Sequence, residues 1–185
     1  NSDPKHDPGL ALALKIGLWC NNAQLEAPNE NEKRWRVVGD PTEGALVVAA
    51  RKAGLERDSD HTVVHEIPFD STRKLMSVVV QQADQNAIYT KGAPEILLER
   101  CAFEQRPDDI VPLSAARRAE LLQESREMAA RALRVLGLAW QEALGEAKKS
   151  NPGDVSREGK LLLPRSGLPR PVPTPGSYNC RLIAI

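Results

Sequence analysis

The stretch with the densest chemistry is Lys91-Gly92-Ala93-Pro94-Glu95, where a cation, a glycine and a helix start occupy consecutive positions. Before it, Asn86 to Thr90 reads as a short strand; after it, Glu95 to Cys101 reads as an amphipathic helix with Pro94 in its first turn. Unpaired backbone N–H groups and the positive end of a helix dipole gather at such a junction, and a lysine there favours an anionic or electron-rich ligand. An ordinary strand-to-helix turn with a solvated lysine explains the same five residues. Other chemistry is poorly represented. His6, His61 and His65 fit no Ser/His/Asp or Cys/His arrangement. Cys20, Cys101 and Cys180 are widely spaced and form no CxxC, which suggests neither a zinc site nor a disulfide framework and fits a reducing compartment. No GxxxxGK[ST] phosphate loop is present.

The composition sets bounds on what these residues can serve. A chain of 185 residues can bury a substantial core. Lys+Arg and Asp+Glu are both 25, so no net field points to nucleic acid or an acidic membrane surface. Aromatics are 4% of the chain, too few for extended base stacking. No apolar run approaches a membrane span.

The elements that must carry these residues can be read in order. Residues 1–9 form a polar lead-in. Leu10 to about Asn22 has helical spacing through Leu14, Ile16, Leu18 and Trp19, and Ala23 to Lys33 reads as a loop. Trp35 to Val38 reads as a strand. Asp40 then suits a cap and Pro41 the first helical position, with Glu43 at capping-box spacing and Gly54 as the stop. Glu43 is thereby explained as a cap partner. His61 to Ile67 alternates as a strand that ends at Pro68. Leu75 to Val80, with Met76, Val78 and Val80 on one face, returns through Ala83 to Asn86 into Ala87 to Thr90 as an antiparallel hairpin. Such a hairpin could bring Phe69, Arg73 and Lys74 close to Lys91. Ser114 caps a long helical pattern through Ala132, and Leu133 to Trp140 reads as an apolar strand carrying Arg134. That arginine is either at a strand edge reaching solvent or aimed at a ligand.

Residues 10–150 therefore read as one domain and 151–185 as a Pro-rich basic tail, loosely ordered apart from one possible final strand. Six of the 14 prolines fall between Pro152 and Pro175, so little regular structure is expected there beyond Leu161 to Leu163.

Four motifs in order, GDPTEGAL (Gly39 to Leu46), FDSTRKLMS (Phe69 to Ser77), KGAPE (Lys91 to Glu95) and LRVLGLA (Leu133 to Ala139), resemble the nucleotide-binding domain of P-type cation-transporting ATPases. The likeness is to the type II group that includes calcium and sodium pumps, and Leu18-Trp-Cys-Asn-Asn-Ala23 is similar as well. The resemblance implies an α+β fold, a mainly antiparallel sheet flanked by helices, on the cytoplasmic side of a membrane pump. It implies that ATP is held by its adenosine end and that the γ-phosphate goes to an aspartate in a separate phosphorylation domain. Carried over by position, Phe69 would stack on adenine, Glu43 would meet its amino group, and Lys91, Gly92 and Ala93 would form the pocket floor. Lys74 and Met76 would line it, Arg134 would reach the phosphates and Leu136 would pack beside the base; Arg73 could be structural. Mg2+ would enter with the phosphates, its ligands mostly outside this chain.

The chemistry of the residues suits those roles. An aromatic platform plus a carboxylate matches a π face plus an amino donor, and base stacking is worth roughly 1–3 kcal/mol. Affinity for ATP should be modest, with a Kd on the order of 0.1–1 mM. The DKTGT and TGDG motifs of the family are missing, so the chain is expected to be a monomeric, inactive piece of a pump whose phosphorylation and actuator domains are its partners. A free-standing adenine-nucleotide-binding regulatory module is the alternative. The ending Cys180-Arg-Leu-Ile-Ala-Ile185 departs from the family's usual exit and receives no function.

Overall fold

The computed structural model describes residues 4, 7–30, 32–83, 85–107, 109–142 and 178–184. Its first element begins two residues earlier than spacing indicates: α1 (Pro8–Trp19) starts inside the lead-in because Asp7 Oδ1 accepts the Leu10 N–H at 3.0 Å and Pro8 needs no donor partner. The loop that follows contains β1 (Gln24–Glu26), which pairs antiparallel with β2 (Arg36–Val38). Next, α2 (Pro41–Lys52) is capped by Asp40, and just beyond it Gly54 takes φ +76°, the left-handed geometry expected of a helix stop.

The main sheet is built from β3 (His61–Asp70), β4 (Leu75–Gln82), β5 (Gln85–Gly92), β6 (Cys101–Gln105), β7 (Ile110–Pro112), β8 (Gly137–Glu142) and β9 (Tyr178–Ala184). Between them lie α3 (Pro94–Arg100) and α4 (Ala115–Ala130), the latter capped by Ser114. Strand order is β3-β4-β5-β8-β9-β6-β7, antiparallel throughout except between β6 and β9. The expected mainly antiparallel α+β architecture is what forms. The expected hairpin forms, with Met76 opposite Lys91 and Leu75 opposite Gly92.

Alternation along these strands sends side chains to two cores. Met76, Val78 and Val80 of β4 join Tyr89, Leu138 and the α1 residues Ala13, Ile16 and Trp19 on one face. Leu75 and Ala139 turn to the other face, against Leu97, Leu98, Leu113, Leu121 and Leu182. All of Leu75 to Val80 is buried, as befits an interior strand covered on both sides, and each apolar side chain among them contributes about 1.5–3 kcal/mol.

Other elements also differ from the sequence reading. β3 runs through Pro68 to Asp70 rather than ending there; it is the sheet's edge strand, and a register shift between Ile67 and Asp70 absorbs the missing donor. β8 starts at Gly137, not Leu133, so Arg134 precedes the strand. Ala132 at φ 60° and the Leu133 N–H bonded back to Met128 O complete the end of α4 before the chain extends. The short strands β6 and β7 occupy a stretch with no assigned structure. The one final strand allowed for in the tail is present as β9, and it lies inside the sheet, between β8 and β6, with Leu182 in the core; Arg181 stacks on Trp140, 4.3 Å from its ring centre. The Leu161 to Leu163 run lies outside the described residues.

Candidate functional site

The site is assembled where α2 begins and where β3, β4 and β5 share one end. Asp40 Oδ1 accepts the backbone N–H groups of Thr42 at 2.8 Å and Glu43 at 3.2 Å. The Glu43 bond is the main reason the Asp40 carboxyl lies below the ordinary range, and the nearby charge of Arg134 adds to it. The second half of a capping box is not formed. Glu43 turns inward instead: its Oε1 accepts Lys91 Nζ at 2.7 Å and its Oε2 accepts the Asn22 N–H at 3.0 Å. The reading of Glu43 as a cap partner is therefore corrected, because a buried cation and a free N–H at the end of α1 compete for the carboxylate more strongly than a solvent-exposed cap.

Lys91 is not a solvated lysine either. Its side chain is 8% exposed and that of Glu43 17%, so the pair is held largely away from water. Two charges in such a place are tolerated only as partners, and either alone would carry an uncompensated desolvation cost. Beneath them sits Cys20, fully buried, its thiol pushed up to about 12 chiefly by that burial and therefore a poor nucleophile.

The turn from β3 to β4 supplies the rim. Asp70 Oδ1 accepts the N–H groups of Thr72 and Arg73, while the Arg73 guanidinium donates to the carbonyls of Ile67 and Leu75. Arg73 thus ties the two strands together, a structural use. The closed turn leaves Phe69 61% exposed, a ring with an open face. Lys74 is also exposed; its Nζ is 3.5 Å from Glu95 Oε1, and its carbonyl accepts the Ala93 N–H. Gly92 is required by this closure, since a Cβ there would run into the Lys74 carbonyl. Opposite Gly92 stands Gly137, so the half-buried Leu136 and exposed Arg134 lead into the same corner.

The structure thus joins Glu43 directly to Lys91 and gathers Phe69, Lys74, Gly92 and Ala93 at one end of three adjacent strands. Met76 is different: although opposite Lys91, it is 1% exposed and belongs to the core below the site. Three participants were not foreseen. Asn21 Nδ2 donates to Glu43 O at 2.9 Å, Asn22 Nδ2 donates to Glu66 Oε1 at 2.8 Å, and the tandem asparagines after α1 were their only sequence signal. A separate pocket of about 280 Å³ among Leu18, Leu25, Val47, Leu55 and Arg57 shares no residue with this corner.

Residues 10–161 match the family described as P-type ATPase, cytoplasmic domain N. The chain belongs to that family. Its relatives include a "Calcium-transporting ATPase" of Bacillus subtilis, 34% identical across 96% of this chain and 20% of the relative. A "Cation-transporting ATPase pma1" of Synechocystis is 34% identical across 94% of the chain and 19% of the relative. The "Calcium-transporting ATPase 2, endoplasmic reticulum-type" of Arabidopsis thaliana is 30% identical across 86% and 18%. The chain therefore spans about a fifth of the length of these relatives. No helix among the described residues of this N domain is long and apolar enough to cross a membrane. The family match ends at residue 161, before β9 begins at Tyr178.

Proposed function

We propose that this N domain binds ATP by its adenosine end and presents the γ-phosphate to an aspartate in a separate phosphorylation domain of a cation-transporting pump, on the cytoplasmic side of its membrane. Phe69 stacks on the adenine ring and Glu43 accepts its amino group. Lys91, Gly92 and Ala93 form the floor, Lys74 lines the pocket with Met76 beneath it, Leu136 packs beside the base, and Arg134 reaches the phosphates. Mg2+ arrives with the phosphates and takes most of its remaining ligands from other domains. The phosphorylation and actuator domains are the partners in the whole pump, and by itself the chain has no aspartyl-phosphate chemistry.

What supports the reading most is the buried Lys91–Glu43 pair at the same end of the sheet as an aromatic ring left 61% exposed next to a closed turn. An exposed phenylalanine adds little to stability, whereas a stacked base is worth roughly 1–3 kcal/mol. Each carboxylate oxygen has two lone pairs, so Glu43 can accept an amino donor while keeping Lys91 and Asn22.

Chemical-shift perturbation on adding ATP and then AMP tests the reading. Changes should cluster at Glu43, Phe69, Lys74 and Lys91 with both nucleotides, and Arg134 should move with ATP only. Changes confined to Arg134 or to the opposite sheet face would exclude the adenosine pocket.

A further inference from the structure

The carboxylate at the centre of the proposed base site is steered by residues to which that reading gives no role. Asn21 is buried, and its amide donates to Gly17 O at 2.8 Å and Glu43 O at 2.9 Å while its Oδ1 accepts the Ala23 N–H. These bonds tie α1 to α2 through the backbone, whatever the site binds. Asn22 differs. It is exposed, its backbone N–H donates to Glu43 Oε2 at 3.0 Å, and its side-chain amide donates to Glu66 Oε1 at 2.8 Å on the edge strand. A line of hydrogen bonds runs from Glu66 through Asn22 and Glu43 to Lys91, from β3 across the end of α1 to β5.

We infer that Asn22 and Glu66 are positioning residues that set the site's discrimination between 6-amino and 6-oxo purines, by holding the Glu43 carboxylate in one plane against the base edge. This rests on the reading that Glu43 accepts the adenine amino group. A 6-amino purine brings a donor to the carboxylate; a 6-oxo purine puts an acceptor at that position and moves its donor to N1, so its oxygen faces the carboxylate without a donor between them. That penalty applies only while the carboxylate cannot rotate away. Lys91 fixes one oxygen and leaves the plane free to turn about it. The Asn22 N–H fixes the other oxygen, and the bond to Glu66 fixes Asn22.

The test is titration of the 185-residue chain with ATP and ITP, for the parent and for Asn22→Ala, Glu66→Ala and Glu66→Gln. The parent should prefer ATP by about tenfold or more, the size of a hydrogen bond to a charged group. Both alanine variants should lower that ratio about threefold or more, through tighter ITP binding as the carboxylate turns away, weaker ATP binding, or both. Glu66→Gln keeps an acceptor for the Asn22 amide and should restore the parental ratio. Because Asn22 is exposed and Glu66 lies on another strand, the two alanine variants test the same line independently of any one local disturbance. A parental ratio in both alanine variants would overturn the inference, as would an equal loss of ATP and ITP affinity. Glu66→Gln behaving like Glu66→Ala would overturn it in favour of a charge effect. A parent with no ATP preference would instead remove the adenine assignment on which the inference rests, so the two failures are distinguishable.

Discussion

Two partly buried carboxylates, Glu43 on α2 and Glu104 on β6, have contrasting surroundings. Glu104 on β6 is 11% exposed and accepts from Arg117 Nε and Nη2 and from Arg106 Nη2. Burial alone would raise its carboxyl; the two arginines outweigh burial and hold it below the ordinary range. Arg117, raised in turn, also meets Glu120 and Glu124 along α4. Glu43 has one cation, one backbone donor, spare acceptor capacity and an exposed phenylalanine at the same end of the sheet. A buried ion pair is therefore not in itself the mark of a ligand site. The difference lies in whether the hydrogen-bonding capacity is filled, as at Glu104, or left open at the end of the sheet where an aromatic ring stays exposed.

Substitutions should separate the two. Arg117→Leu strands Glu104 beside a single, half-exposed arginine and should lower unfolding stability by roughly 2–4 kcal/mol, while the folded protein binds ATP as before. Denaturant unfolding and nucleotide titration of the same sample check both halves. Lys91→Met should cost less stability, about 1–3 kcal/mol, because Glu43 keeps the Asn22 N–H and some water; it should also weaken ATP binding severalfold or more. Equal nucleotide affinity in the two variants would erase the contrast.

Acid should destabilise the Glu104 end. A carboxyl depressed in the folded state is protonated in the unfolded chain at higher pH than in the native one. Its stabilisation is present above the ordinary glutamate range, near pH 4.3, and is lost as pH falls through the lower folded value. Thermal unfolding followed from pH 7 to pH 3 should therefore fall more steeply for the parent than for Arg117→Leu, whose Glu104 has lost its main partner. Parallel curves would mean that Arg117 does not set the titration of Glu104.

Much of this arrangement was legible in the residues because it is local. Asp40-Pro41 announces α2, and the alternation of Met76, Val78 and Val80 announces the hairpin that carries Lys91. The resemblance supplied the candidate site as a set. What could not be read is long-range: Glu43 finds Asn22 and Lys91 across 21 and 48 positions, and local spacing instead suggested a cap. Pro68 is tolerated because β3 is an edge strand, which only the sheet order reveals. The Glu104 strand is short and charged, and its main partner lies 13 residues on, so neither periodicity nor composition marks it. β9 follows a proline-rich stretch whose composition argues against order, yet its own residues pair on both sides.

The proposed adenosine site is tested most directly by the ATP affinity of Phe69→Ala. With 61% of Phe69 exposed, unfolding stability should change little, while ATP affinity should fall by about fivefold to a hundredfold, the range of one lost base–aromatic stack. A variant that is equally stable and binds ATP with parental affinity would contradict the site.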